Sequence, residues 1–296
     1  MNILITGATG LIGSELYKHL LNHHSVTVLT RTPAKAYLKL GHRIEAVRSL
    51  DKVNFNDTDV VINLAGEPIV NKRWSPEQKQ RVYDSRITLT EEIAERINQA
   101  EKKPKTLISG SAIGYYGRQG DQVIGEDYEH CHDEFSHQLC KDWEQAAQKA
   151  QTRVCLLRTG IVLSARGGAL TKMLPAFRFG MGGPLGDGRQ YMSWIHLDDM
   201  VQVIMYLIKY DHISGPINAT APHPVSNEEF SKTLAQVLRR PAFMRMPKAV
   251  LRLLMGEMAD LMLYGQNVQP KRMLKEGFRF RHPDLKPALS QILSRH

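Results

Sequence analysis

Met1-Asn2-Ile3-Leu4-Ile5-Thr6-Gly7-Ala8-Thr9-Gly10-Leu11-Ile12-Gly13 is the stretch from which the architecture follows. The first six residues read as a short buried strand, and Leu11 opens an amphipathic helix reaching about Leu21. A strand that turns sharply into a helix through three glycines is a device for binding phosphate. Gly7 permits the turn, Gly10 lets the backbone approach a pyrophosphate, and Gly13 lets the helix pack close on the sheet. The helix start at Leu11 and Ile12 adds free N–H groups and a partial positive charge. The spacing is G-x-x-G-x-x-G, and its place between an apolar strand and a helix points to a dinucleotide.

Working outward, residues 25–30 are a β-branched second strand ending at Arg31. In dinucleotide folds a carboxylate at this point holds the 2′-hydroxyl of NAD, and an arginine accommodates the 2′-phosphate of NADP. Thr30-Arg31-Thr32 offers a cation and two hydroxyls without a carboxylate, so NADP(H) is the expected cofactor; the plain alternative is a surface arginine. Residues 44–47 read as a third strand. Residues 59–64 read as a fourth, running into Ala65-Gly66, where small residues leave room for a ligand beyond the strand end. Residues 75–100 read as one helix with a Ser-Pro entry, and 105–109 as a fifth strand leading into Gly110-Ser111-Ala112-Ile113-Gly114-Tyr115-Tyr116-Gly117. Residues 153–158 make a sixth strand, and 159–163, Val162 among them, continue along the cleft.

Bulk properties narrow the class. An apolar content of 42% and a charged content of 23% suit a soluble globular chain. No apolar run approaches the ~18 residues of a membrane span, and the opening residues do not read as the basic n-region of a signal peptide. Cys131, Cys140 and Cys155 form an odd set without a framework spacing, which suggests reduced thiols in a cytoplasmic protein. The net charge of +9 is spread along the chain, so an anionic cofactor or small-molecule substrate is expected in place of nucleic acid. His130, Cys131, His132, His137 and Cys140 lack the paired spacings of a zinc site, and no metal is expected.

Several motifs together resemble the extended short-chain dehydrogenase/reductases. They are the glycine loop, Asn63-Leu64-Ala65-Gly66, Ser109-Gly110-Ser111-Ala112, Gly186-Asp187-Gly188-Arg189-Gln190 and Trp194-Ile195-His196-Leu197-Asp198-Asp199-Met200. Gly66-Glu67-Pro68-Ile69, Cys140-Lys141-Asp142-Trp143-Glu144 and Pro270-Lys271-Arg272-Met273 look more narrowly like an atypical branch, the epimerase family proteins, with its own C-terminal segment. The resemblance implies that Gly7, Gly10, Leu11, Ile12 and Gly13 cradle a pyrophosphate and that Thr30 and Arg31 meet the adenosine phosphate. Leu64, Ala65, Gly66 and Val162 would line the cofactor cleft. Arg86 falls where many relatives carry an asparagine near the cofactor; an arginine there would clamp phosphate, unless it is a surface helix charge. Arg189 and Trp194 fall on the substrate side.

The catalytic pattern departs from that group. Ordinary members carry Tyr-x-x-x-Lys after the fifth strand, plus a strand-end serine. Ser111 and Lys141 are present, but His137 stands four residues before the lysine. Residues i and i+4 share a helix face, so His137 and Lys141 would point into one cleft, or Tyr115 or Tyr116 would enter from the preceding loop. His196, Asp198 and Asp199 read as structural braces at a helix start. Ser226-x-x-Glu229 reads as a capping box, and the Met-rich stretch 244–262 is expected to pack on the substrate half in preference to lying on a membrane.

The expected fold is α/β, a doubly wound, mostly parallel Rossmann-type sheet with a smaller C-terminal lobe. Residues 1–165 would form the NADP-binding domain, joined by strands returning from 191–220, and 166–296 the substrate lobe and helical tail. The expected function is an NADP(H)-dependent oxidoreductase or epimerase acting on a small alcohol or carbonyl, nucleotide-linked or free, with a homodimer as one assembly open to it. The alternative is a non-catalytic NADP(H)-binding redox sensor.

Overall fold

The computed structural model describes residues 1–70 and 72–294. Seven strands form its central sheet: β1 (Asn2–Thr6), β2 (Ser25–Leu29), β3 (Ile44–Val47), β4 (Val60–Asn63), β5 (Thr106–Ala112), β6 (Arg153–Thr159) and β7 (Gly215–Ala219). They lie in the order β3-β2-β1-β4-β5-β6-β7, and every pairing is parallel. Such sheets are covered on both faces, which is why their strands read as continuous apolar runs. In β1, Ile3 and Ile5 join the cluster that holds Leu16 and Leu20, whereas Leu4 joins the opposite cluster with Ile93 and Ile97.

The helices that cover the sheet are α1 (Leu11–Leu20), α2 (Pro33–Leu40), α3 (Pro76–Asp84), α4 (Ile87–Gln99) and α5 (Phe135–Gln148). Further along come α6 (Ala169–Arg178), α7 (Leu197–Lys209), α8 (Asn227–Leu238) and α9 (Lys248–Met255). The single helix expected over 75–100 is two, broken at Ser85-Arg86. The Ser85 hydroxyl donates back to the Val82 carbonyl and accepts the Glu67 N–H, competing with the helical ladder. The fifth strand runs three residues past the expected end, through Ala112.

A second lobe gathers α6, α8 and Leu285–Ser294 around Trp194 and Phe230. Ser226 caps α8 by accepting the Glu229 N–H. Asp199, fully buried, accepts the N–H groups of both Arg281 and His282 and so ties the C-terminal segment to α7. The Met-rich stretch packs only in part. Leu251, Met258 and Ala259 are buried, but Val250, Leu253 and Leu254 are exposed. No helix among the described residues is long and apolar enough to cross a membrane.

Candidate functional site

The chain leaves β1 through α1 to β2 on one side, while β4 lies on the other side of β1. In open parallel sheets a ligand crevice forms at such a switch point, beyond the carboxyl ends of the strands. Gly7 stands there with φ +71°, and a Cβ on it would lie 2.6 Å from the Leu64 carbonyl oxygen. A Cβ on Gly13 would lie 2.4 Å from the Gly7 oxygen and 2.6 Å from the Ala8 Cα. The Gly10 N–H donates to the Gly7 carbonyl at 2.9 Å, and no side chain caps α1. The first-turn N–H groups at Leu11, Ile12 and Gly13 therefore open onto a cradle that side chains would fill. Leu11 reaches towards Gly168, whose added Cβ would meet both the Leu11 side chain and the Val162 carbonyl at 3.3 Å.

Polar groups fix the rim of this crevice. The Thr6 hydroxyl donates to Asn63 Oδ1 at 2.6 Å and accepts the Ala65 N–H at 3.1 Å. Asn63 Nδ2 donates to Thr90 Oγ1, which also takes the Trp143 indole N–H. Arg31 is exposed at the end of β2, and its guanidinium has no protein partner among the described residues. Thr30 Oγ1 accepts the Thr32 N–H beside it. Arg86 sits against Gly66, where an added Cβ would lie 2.9 Å from its Cζ. Its Nη1 donates to the carbonyls of Glu67 and Val82 at 3.0 and 3.1 Å, and the guanidinium lies 5.2 Å from the Trp143 ring centroid. Arg86 thus braces the turn after β4 and is no surface helix charge, the alternative to a phosphate clamp; Nη1 is spent on backbone carbonyls.

Beside the crevice lies a buried polar network. Ser111, near the end of β5, donates its hydroxyl to Glu144 Oε1 at 2.7 Å. Arg158 of β6 grips both Glu144 oxygens, Nε to Oε1 at 2.8 Å and Nη2 to Oε2 at 2.9 Å. Its Nη1 donates to the Tyr116 hydroxyl, which donates in turn to Asn218 Oδ1. Burial works against the Arg158 charge, but Glu144 and Tyr116 hold its pKa above the usual range. Burial pushes Tyr116 up to about 12. With its oxygen occupied on both sides and its ring fully buried, Tyr116 is part of the support and does not enter the cleft as one expectation had it. Tyr115 is half-buried, its ring centroid 3.5 Å from the Arg158 guanidinium carbon, and burial raises its pKa.

Helix α5 forms the flank beside this network. Its inward stripe is Ser136, Leu139, Cys140, Trp143 and Glu144, and Lys141 is exposed. Ser136 and Cys140, four residues apart, face Gly114 in the loop after β5, and burial pushes the Cys140 thiol up to about 12. His137 lies one position round; its Nδ1 donates to the Tyr115 carbonyl, and its ring meets the Tyr115 ring edge-on at 5.5 Å. His137, held by Tyr115, and the exposed Lys141 lie one turn apart on α5. Trp194 is also corrected: it is a fully buried core residue whose indole donates to the His223 carbonyl. Arg189 is exposed and lines an open cleft of about 630 Å³ with Tyr191, Glu228 and Lys232.

Glu144, Arg158 and Asn218 escaped the sequence reading. The available signal was a carboxylate in phase with Leu139, Cys140 and Trp143, since a charge on an apolar stripe demands a buried partner. His196 holds the start of α7: Nδ1 accepts the Asp198 N–H, Nε2 donates to Gln291, and the ring stacks 3.8 Å from that of His282. His196, Asp198 and His282 bring one ligand atom each within 4.8 Å of one another, with both His196 nitrogens on protein partners.

A profile described as the NAD dependent epimerase/dehydratase family matches residues 3–219. The chain belongs to this family. A further profile, a domain of unknown function (DUF1731), matches residues 246–292. Among family members, the epimerase family protein ML0860 of Mycobacterium leprae is 40% identical over 99% of this chain and 96% of its own length. The chloroplastic SDR39U1 homolog of Arabidopsis thaliana is 40% identical over 99% of this chain and 87% of its own. Human epimerase family protein SDR39U1, solved with NADPH, superposes with a TM-score of 0.92 at 33% identity, each chain covered completely. A nucleoside-diphosphate sugar epimerase from Corynebacterium glutamicum gives a TM-score of 0.78 at 31% identity, covering this whole chain and 59% of that one.

Proposed function

We propose that the protein is an NADP(H)-dependent oxidoreductase or epimerase acting on a small alcohol or carbonyl compound in the cytoplasm. The observation that carries this reading is the glycine cradle, where Cβ atoms on Gly7 and Gly13 would strike backbone and α1 carries no side-chain cap. Leu11, Ile12 and Gly13 would hold the pyrophosphate, Thr30 and Arg31 the adenosine 2′-phosphate, and Leu64, Ala65 and Val162 the cleft wall. The human relative solved with NADPH supports the same cofactor. When bound, the nicotinamide supplies the hydride donor or acceptor.

The remaining chemistry falls to this chain's own groups. Ser111 gives its hydrogen to Glu144, so its oxygen presents lone pairs and accepts a hydrogen bond from a substrate hydroxyl. Tyr115, above the Arg158 cation, exchanges the proton with the substrate oxygen. His137 commits Nδ1–H to a carbonyl and keeps Nε2 as an acceptor close to Tyr115. Arg189 would meet an anionic group on the substrate, and a nucleotide-linked sugar is supported by the Corynebacterium glutamicum relative.

A second reading, a non-catalytic NADP(H) sensor, is favoured by one observation: the residue four before Lys141 on α5 is His137, not tyrosine, and its Nδ1 is spent on the Tyr115 carbonyl. Calorimetric titration separates these outcomes. NADPH should bind ~10- to 100-fold tighter than NADH, and Arg31→Asp should erase that preference. An unchanged preference in the variant overturns the 2′-phosphate contact, and a protein that binds neither nucleotide overturns the whole reading. Binding strengthened by a nucleotide sugar would support the enzyme over the sensor.

A further inference from the structure

Eight of the twelve large apolar side chains exposed among the described residues lie in 179–181 and 243–254. The most open are Phe179, Phe243, Leu253 and Leu254, at 79, 74, 76 and 61% exposure. The two segments are one surface. A Cβ on Gly180 would touch the Pro241 ring at 3.3 Å, and the Met246 N–H donates to the Pro184 carbonyl. On α9, Val250, Leu253 and Leu254 fall at i, i+3 and i+4 and share the outer face, whereas Leu251 turns inward and is buried, with Met255 packed on the same cluster. An apolar patch of this kind on a folded chain marks a binding surface.

Charge selects the occupant. Between Glu229 and Glu257 the sequence has six cations and no carboxylate. Arg245, Lys248 and Arg252 are anchored by Glu228, Asp187 and Asp260. Arg178, Arg239 and Arg240 are exposed and make no side-chain bond or ion pair among the described residues. A two-fold contact between copies of this chain would press these cations against themselves, so a second copy is disfavoured. Apolar side chains interleaved with unpaired arginines match an anionic lipid surface. There the former enter the headgroup boundary while the latter meet phosphate.

We infer that the face formed by the 178–181 turn and residues 239–254 is a peripheral docking site for an anionic lipid bilayer. The chain lies on such a surface without spanning it.

Flotation of the full-length protein with vesicles tests this. With phosphatidylcholine vesicles containing about one third phosphatidylglycerol, the protein should float, and with pure phosphatidylcholine it should not; salt should weaken the association. Leu253→Asp with Leu254→Asp should lower vesicle affinity by at least about tenfold. Arg178→Glu with Arg240→Glu, both at exposed sites, should do the same while leaving the thermal unfolding midpoint unchanged, so a folding failure in the leucine pair leaves the test intact. Equal binding to both vesicle types, or full binding by the arginine variant, overturns the inference. So does a protein that ignores vesicles, whether it sediments as a monomer or as a dimer through this face.

Discussion

Arg158 holds Glu144 through two parallel hydrogen bonds of 2.8 and 2.9 Å and at the same time lies 3.5 Å from the centroid of the Tyr115 ring. One guanidinium thus balances the carboxylate that orients Ser111 and underlies the phenol beside it. Both partners of the ion pair are almost fully buried, at 4 and 6% side-chain exposure. A pair this deep adds little to stability as a pair, yet either member left alone is a stranded charge.

Glu144→Leu and Arg158→Met should each destabilise the fold by about 3–5 kcal/mol, and the double variant should cost less than either single change. Urea unfolding of the three proteins measures this. Additive losses would mean that the two side chains are not coupled.

Gly13→Ala should lower NADPH affinity by about tenfold or more, because its Cβ meets backbone on two sides and the turn must open; a conformationally ordinary surface site costs within ~0.5 kcal/mol. The matched control is Gly120→Ala, where nothing lies within 4 Å of the added carbon. Calorimetry on both variants is the measurement, and equal affinities would refute the cradle.

His196 sets a pH dependence. Burial, and next the neighbouring His282, lower its pKa from 6.5, so the unfolded chain binds the proton more readily than the fold does. Its contribution is therefore complete above 6.5 and is lost as pH falls below that value. His196→Asn keeps an acceptor for the Asp198 N–H but cannot titrate, and should flatten the decline of the melting temperature between about pH 7 and about pH 5. An unaltered slope would assign the decline to other groups.

The sheet was legible because parallel strands buried on both faces leave runs such as Val60-Val61-Ile62 that have no other reading. The glycine loop was legible because its spacing encodes backbone contact with Leu64 and Ala8, not a side chain. The catalytic flank was less so. A motif spacing fixes which residues share a helix face but not where that face points, and one residue turns it by about 100°. Trp194 carried no mark of depth, since aromatic residues serve cores and ligand clefts alike. Arg158 and Glu144 lie fourteen positions apart on different elements, and their pairing exists only once α5 packs against β6.

The outer place of β7 has a consequence for synthesis. Its five residues pair along 155–159 of β6, yet they leave the ribosome more than fifty positions later. Until residue 219 has emerged, β6 presents an unpaired backbone edge, with Cys155 and Leu157 on the flank that Ile217 and Ala219 later help to cover. Exposed edges of this kind recruit other chains. A fragment stopped at 165 should thus come off the ribosome as an aggregating species, because the nucleotide-binding half depends for its last edge on a strand supplied from beyond it.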